Sequence, residues 1–255
     1  MTRAAFTEEE RAALIQHLIT LAKDDPRIPA CAEVGSVAGG RGDRWSDVDL
    51  TFAVGEGASV AQVLADWTGR LEREHGAVPL FDLPFRTSIY RVFLFPGHLQ
   101  VDLSFTPAAD FGALGPDFRL RFGAARERAG TPAPDPWYQL GLAVHHALRA
   151  RIAIERGRLW QAEHWVSAVR DEVITLACLG RGLESRYARG ADRLDEVLRE
   201  RLEAALVRAL DRAELLRALR VAIECLVAES RDAQPLAARV ESALRDLMAP
   251  EWPGT

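Results

Sequence analysis

The chain has 255 residues, 48% of them apolar, and a formal net charge of -5, which allows one large domain or two modest ones with true cores. A charged fraction of 27% is ordinary for a globular protein, and the acidic balance argues against a general nucleic-acid binder, which carries a basic face. Cys31, Cys178 and Cys225 are odd in number and far apart, which speaks against a disulfide framework or a zinc site and for small buried hydrophobes. The opening "MTRAAFTEEERAAL" has no long apolar core of a signal segment, and no run of about 18 uncharged apolar residues follows. A cytoplasmic chain without a membrane span is expected.

Residues 7–23 are predicted helical: Thr7 and Glu10 have capping-box spacing, and Leu14, Ile15, Leu18 and Leu21 form an apolar stripe. "DDPRIP" at 24–29 stops that helix. Strands are predicted at 30–34 and 48–54, then a turn at 55–59 and a helix at 60–75. Three more strands are predicted at 77–83, 88–95 and 99–105, with turns containing Pro84 and "PGH" at 96–98. "TPAPDP" at 131–136 has proline at every second position and reads as a stiff joint. Beyond it the pattern is helical. Trp137, Leu140, Val144, Leu148 and Ile152 fall at helical spacing, as do Val166, Val169, Val173 and Ile174. Segments 193–208, 211–229 and 235–248 continue in that manner, and "APEWPGT" is read as an irregular tail.

The chemistry concentrates in "EVGSVAGGRGDRWSDVDLTFAV", residues 33–54. Side chains alternate along a strand, so Asp47 and Asp49 share one face while Val48 and Leu50 take the other. Two carboxylates so placed repel unless a cation lies between them, and oxygen ligands suit Mg²⁺ accompanied by substrate phosphates. Asp102, which interrupts the apolar strand "LQVDLSF", offers a third acid. Gly35 permits close backbone approach, and Ser36 brings a hydroxyl able to hold a phosphate oxygen. Arg41 and Arg44 are positioned to neutralise a polyphosphate. Trp45 is read as packing under the loop. Each piece alone has an ordinary meaning: Ser-Asp-x-Asp is commonly a turn or cap, and a glycine-rich loop is commonly only a loop. Together they point to a nucleoside triphosphate with Mg²⁺.

Gly35-Ser36, nine residues, then Ser46-Asp47-Val48-Asp49-Leu50 resembles the signature of the DNA polymerase β-type nucleotidyltransferases. The resemblance covers roughly residues 29–105. It implies that Asp47, Asp49 and Asp102 bind two Mg²⁺ ions and that Gly35 and Ser36, with Arg41, Arg44 and Ser46 nearby, hold the triphosphate, ATP by default. It also implies in-line attack of a substrate hydroxyl on the α-phosphorus with pyrophosphate leaving. No GxxxxGK[ST] motif is present, which argues against a P-loop enzyme. The expected fold is α+β: a small mixed-sheet nucleotidyltransferase domain over 1–130, followed by an all-helical acceptor-binding domain over 131–255.

That organisation resembles the aminoglycoside and lincosamide nucleotidyltransferases. The helix within 156–173 is the candidate acceptor wall, with Glu163, Ser167 and Arg170 on one face and His164 and Asp171 on the next. Glu163 is the candidate general base, Trp160 and Trp165 candidate pocket walls, and Asp171 and Glu172 further acids for a cationic acceptor. His145 and His146 are read as structural. Two rivals stay open. One is AMP transfer to a protein, as in antitoxin-like members. The other is a helical RNA-cleaving or toxin-binding module, since Arg158 and His164 fit a loose pattern of certain helical ribonucleases; a purely binding, non-catalytic protein is the remaining alternative. The acceptor, the preferred base and a homodimer are left undecided.

Overall fold

The computed structural model describes residues 5–130 and 132–251. They fall into two units, Met1–Thr131 and Pro132–Thr255. The first is a mixed sheet with helices and the second is all helical, an α+β organisation as expected.

The first unit begins with α1 (Glu8–Asp24). Its N-terminus is closed by the reciprocal Thr7–Glu10 hydrogen bonds, Glu10 N to Thr7 Oγ1 at 3.1 Å and Thr7 N to Glu10 Oε2 at 2.8 Å. Then come β1 (Ala30–Val34), a single helical turn α2 (Gly35–Ala38), β2 (Val48–Val54) and α3 (Val60–His75). Strands β3 (Val78–Phe85), β4 (Ser88–Phe95), β5 (Leu99–Pro107) and β6 (Phe118–Phe122) complete the sheet. Its order is β3-β4-β5-β2-β1-β6; β2 and β5 run parallel and every other pair antiparallel.

One face of the sheet is dry. Val48, Leu50, Phe52, Val101, Leu103 and Phe105 pack there against Ile15 and Leu18 of α1 and Leu64, Trp67 and Leu71 of α3. Phe52, Trp67 and Phe105 form a cluster with ring centroids 4.8–5.6 Å apart. The opposite face is polar along β2 and β5, where Ser104 donates to Thr51 at 2.7 Å and Ser88 bonds Thr106 at 2.7 Å. Alternation along β2 and β5 therefore separates the helix-covered core from the face that carries the acids.

Three sequence expectations change. Gly35 and Ser36 do not simply end a strand; they open the turn α2. Pro84 lies inside β3 rather than in a turn, tolerable because β3 is an edge strand and need not donate there. β6, "FRLRF", was not anticipated, although its alternating Phe118, Leu120 and Phe122 carried the period of a strand.

In the second unit α4 (Pro136–Glu155) and α5 (Leu159–Leu179) form a hairpin, followed by α6 (Glu196–Ala204), α7 (Arg212–Glu229) and α8 (Leu236–Leu247). Asp135 caps α4 and Pro136 takes its first position, where a missing N–H costs nothing. Ala143, Ala147 and Ala150 of α4, Val166, Val169 and Val173 of α5, and Leu215, Leu219 and Ile223 of α7 belong to one buried core. Arg151 is fully buried; it bonds Glu155 at 2.7 Å and the Leu247 carbonyl at 3.0 Å at the end of α8. The helix expected over 193–208 shortens to α6 because Arg217 of α7 takes the carbonyls of Ala204 and Leu206. The Cys31, Cys178 and Cys225 thiols are free and buried. Thr131 of the expected joint and residues 252–255 of the expected tail lie outside the described residues.

Asp25, just past α1, ties the first unit's helices together: it accepts from Arg27 Nε and Nη2 at 2.9 Å and from Trp67 Nε1 at 3.0 Å. The Arg27 hydrogen bonds hold its carboxyl at about 2, below the usual range. A depressed carboxyl stabilises the fold fully above about pH 4 and loses that contribution as pH falls through about 2. Asp25→Asn should lower unfolding free energy by roughly 1–2 kcal/mol at pH 7, allowing for the solvent-exposed edge of Arg27. The loss should shrink on acidification. Urea denaturation from pH 2 to 7 measures this, and a pH-independent difference would contradict the assignment.

Candidate active site

The two parallel strands β2 and β5 set Asp49 directly beside Asp102. Asp47 precedes β2 on the same face, two residues back. One carboxylate oxygen from each of Asp47, Asp49 and Asp102 lies within 4.8 Å of the others, and all three residues are half-buried. Val48, Leu50, Val101 and Leu103, between and beside them, are buried on the opposite face.

The electrostatics of this cluster are strained. Loss of water, first, and the neighbouring Asp47 charge push the Asp102 carboxyl up to about 6, against the stabilising bonds from Gln100 Nε2 at 3.1 Å. Three oxygen donors so arranged fit a hard divalent ion such as Mg²⁺. Gly35 fits the same reading. Its φ is +75°, and a Cβ there would stand 2.2 Å from Asp49 Oδ2. Glycine is thus needed both for the backbone turn and for the carboxylate to sit against the chain.

The loop between α2 and β2 is held from three sides. Arg11 of α1, itself buried, donates from Nη1 to the carbonyls of Asp43 at 2.6 Å and Ser46 at 2.8 Å. Arg119 of β6 donates to the Val37 and Ala38 carbonyls at 3.1 and 2.9 Å. Asp117 pairs with Arg41. Within the loop Ser46 Oγ accepts from Asp43 N at 2.9 Å, and Ser36 Oγ donates to it at 3.2 Å.

The expected site residues therefore divide. Gly35, Ser36, Ser46, Asp47, Asp49 and Asp102 lie together. Arg41 is at the loop but engaged by Asp117. Arg44 stacks its guanidinium 4.6 Å from Trp45 and 5.0 Å from Phe6. Trp45 is a correction: it is 72% exposed rather than packed beneath the loop, with the Arg44 guanidinium stacked on its ring. Arg11, Arg119 and Asp117 were missed. Arg11 sat inside a helix pattern, and only the alternation of β6 could have pointed to Arg119.

The helical unit carries Glu163 on α5, accepting a 2.7 Å hydrogen bond from Ser167 Oγ. Nine residues further along α5, loss of water raises the Glu172 carboxyl to about 7, with Asp171 adding to the shift. Trp165 lies among His145, His146 and His164, with centroids 4.8–6.0 Å from it. Trp160 is 76% exposed, so of the two candidate pocket tryptophans only Trp165 is sheltered. No helix among the described residues is long and apolar enough to cross a membrane.

No family model matches the chain, and no curated protein matches it by sequence. Among solved structures it is similar to an aminoglycoside 6-adenyltransferase from Bacillus subtilis, at 11% identity and a TM-score of 0.41, covering 95% of this chain and 98% of that one. A likeness at that level does not bear on what this chain acts upon.

Arg11→Met should leave the Asp43 and Ser46 carbonyls without their donor and cost about 1–3 kcal/mol of stability. Denaturation of the variant, together with proteolysis at the 39–46 loop, checks this; unchanged stability and an equally resistant loop would contradict the clamp.

Proposed function

We propose that the chain is a Mg²⁺-dependent nucleotidyltransferase that moves a nucleoside monophosphate, AMP from ATP in the first instance, to a hydroxyl of a small-molecule acceptor. Aminoglycoside and lincosamide antibiotics are the acceptors to try first. The observation that carries the reading is the convergence of Asp47, Asp49 and Asp102 beside the Gly35-Ser36 turn.

In this reading the acceptor oxygen bonds to the α-phosphorus as the bond to the β-phosphate oxygen breaks. Pyrophosphate leaves, and the hydroxyl proton is lost to a base. Asp47, Asp49 and Asp102 would hold the divalent ions, which when bound supply Lewis-acid polarisation of the phosphate oxygens. Ser36 Oγ and the backbone of the turn orient the triphosphate. Arg41 offsets its charge, at the expense of the Asp117 pair. Asp102, within the acid cluster, is the proposed acceptor of the hydroxyl proton. In the helical unit, Glu163 and the half-buried acid Glu172 are the carboxyls available to an acceptor that carries an amine.

Purified chain with Mg²⁺, α-labelled nucleoside triphosphates and a panel of aminoglycosides and lincosamides tests the proposal. Label should appear on an acceptor with release of pyrophosphate. It should fall about 1,000-fold in Asp47→Asn and Asp102→Asn, the scale of several kcal/mol of lost charge stabilisation. Label on protein instead would move the acceptor to a polypeptide. No label on any acceptor, with no Mg²⁺-dependent triphosphate binding, would overturn the reading.

A further inference from the structure

A second group of ligand-type side chains lies on the helix-covered side of the first unit, away from the face that carries the aspartates. His17 projects from α1, and Glu74 and His75 come from the last turn of α3, which Gly76 closes in the left-handed conformation. The His17 and His75 rings meet edge to face with centroids 5.0 Å apart. One ligand atom from each of His17, Glu74 and His75 lies within 4.8 Å of the others.

Packing alone gives a poor account of this arrangement. Two imidazoles in contact cannot both carry a proton cheaply, and His75 is held below its ordinary value by loss of water, with His17 adding to the effect. His75 Nε2 is shielded from solvent and has no hydrogen-bond partner among the described residues, a cost that a native structure normally avoids. Neutral imidazole nitrogens beside a carboxylate form the donor set of borderline transition metals, in contrast to the all-oxygen set of the aspartates.

The geometry points to a zinc-type divalent metal site formed by His17, Glu74 and His75, which ties α1 to the end of α3. Donors around a tetrahedral zinc ion stand about 3.4 Å apart, given bonds of about 2.0–2.1 Å. The side chains would close by little more than 1 Å, and His17 and Glu74 are at exposed positions. Arg70 Nε bonds Glu74 at 2.9 and 3.1 Å. That exposed pair contributes little, and a carboxylate has further lone pairs for a metal. Three protein ligands leave a fourth position to water.

The test uses the untagged full chain, stripped with a chelator, and Zn²⁺ as the probe. Calorimetry, with Co²⁺ absorption to report nitrogen ligation, is run on the wild type and on Asp49→Asn, which separates this site from the aspartates. Nitrogen-ligated binding of one metal ion per chain should persist in Asp49→Asn as in the wild type, and the melting temperature should rise with Zn²⁺. His17→Ala and Glu74→Gln, both at exposed positions, should each weaken binding at least about tenfold, since loss of a ligand costs no less than loss of an outer-shell partner. They should also abolish the thermal shift. Absence of Zn²⁺ binding, or binding that survives His17→Ala but is lost in Asp49→Asn, would overturn the site.

Discussion

Like charge is the constraint around which the first unit is arranged. Three carboxylates within 4.8 Å of one another on neighbouring strands repel, and the fold keeps them there. It can do so because the residues between them are anchored elsewhere. Val48, Leu50, Val101 and Leu103 are buried on the far face against α1 and α3, so the pleat itself aims the acids. The energy of the dry face thereby holds a polar face that would otherwise rearrange. Asp102, pushed toward neutrality, registers the tension that a bound cation would relieve.

The loop before β2 serves the same end. A glycine-rich segment left to itself would sample many conformations. Here its carbonyls are taken by Arg11 and Arg119, which reach it from α1 and β6, and Asp117 engages Arg41. Each guanidinium satisfies two carbonyls at once, so the backbone around Gly35 and Ser36 is preorganised rather than mobile. Preorganisation matters for phosphate chemistry, where the protein supplies mainly position and charge. The Arg41–Asp117 pair adds a cation close to the turn.

Much of this was legible in the sequence because it depends on short periods. The two-residue spacing of Asp47 and Asp49, and Asp102 amid alternating apolar residues, placed all three on polar faces of strands. The prolines of "DDPRIP" marked the end of α1. What escaped was long-range. Arg11 lies in a helix and acts on carbonyls 32 and 35 positions later, and no local pattern encodes such a contact. The shortened α6 depends on Arg217 drawing off its last carbonyls, which overrides the helical propensity of its Ala, Leu and Arg residues. Trp45 misled because burial is the usual fate of an indole, whereas here the ring is exposed with Arg44 stacked on it. Helical spacing assigns no role to Glu163, Glu172 or the histidines around Trp165, since solvated and ligand-binding faces share the same period.

The central claim is that Asp47, Asp49 and Asp102 together hold divalent metal for a triphosphate. Mn²⁺ binding followed by water-proton relaxation, with and without a non-hydrolysable ATP analogue, tests it in wild type and in Asp102→Asn. The account predicts that the analogue strengthens Mn²⁺ binding in the wild type and that Asp102→Asn removes this enhancement. Equal binding by the two proteins, or no response to the analogue in either, would contradict it.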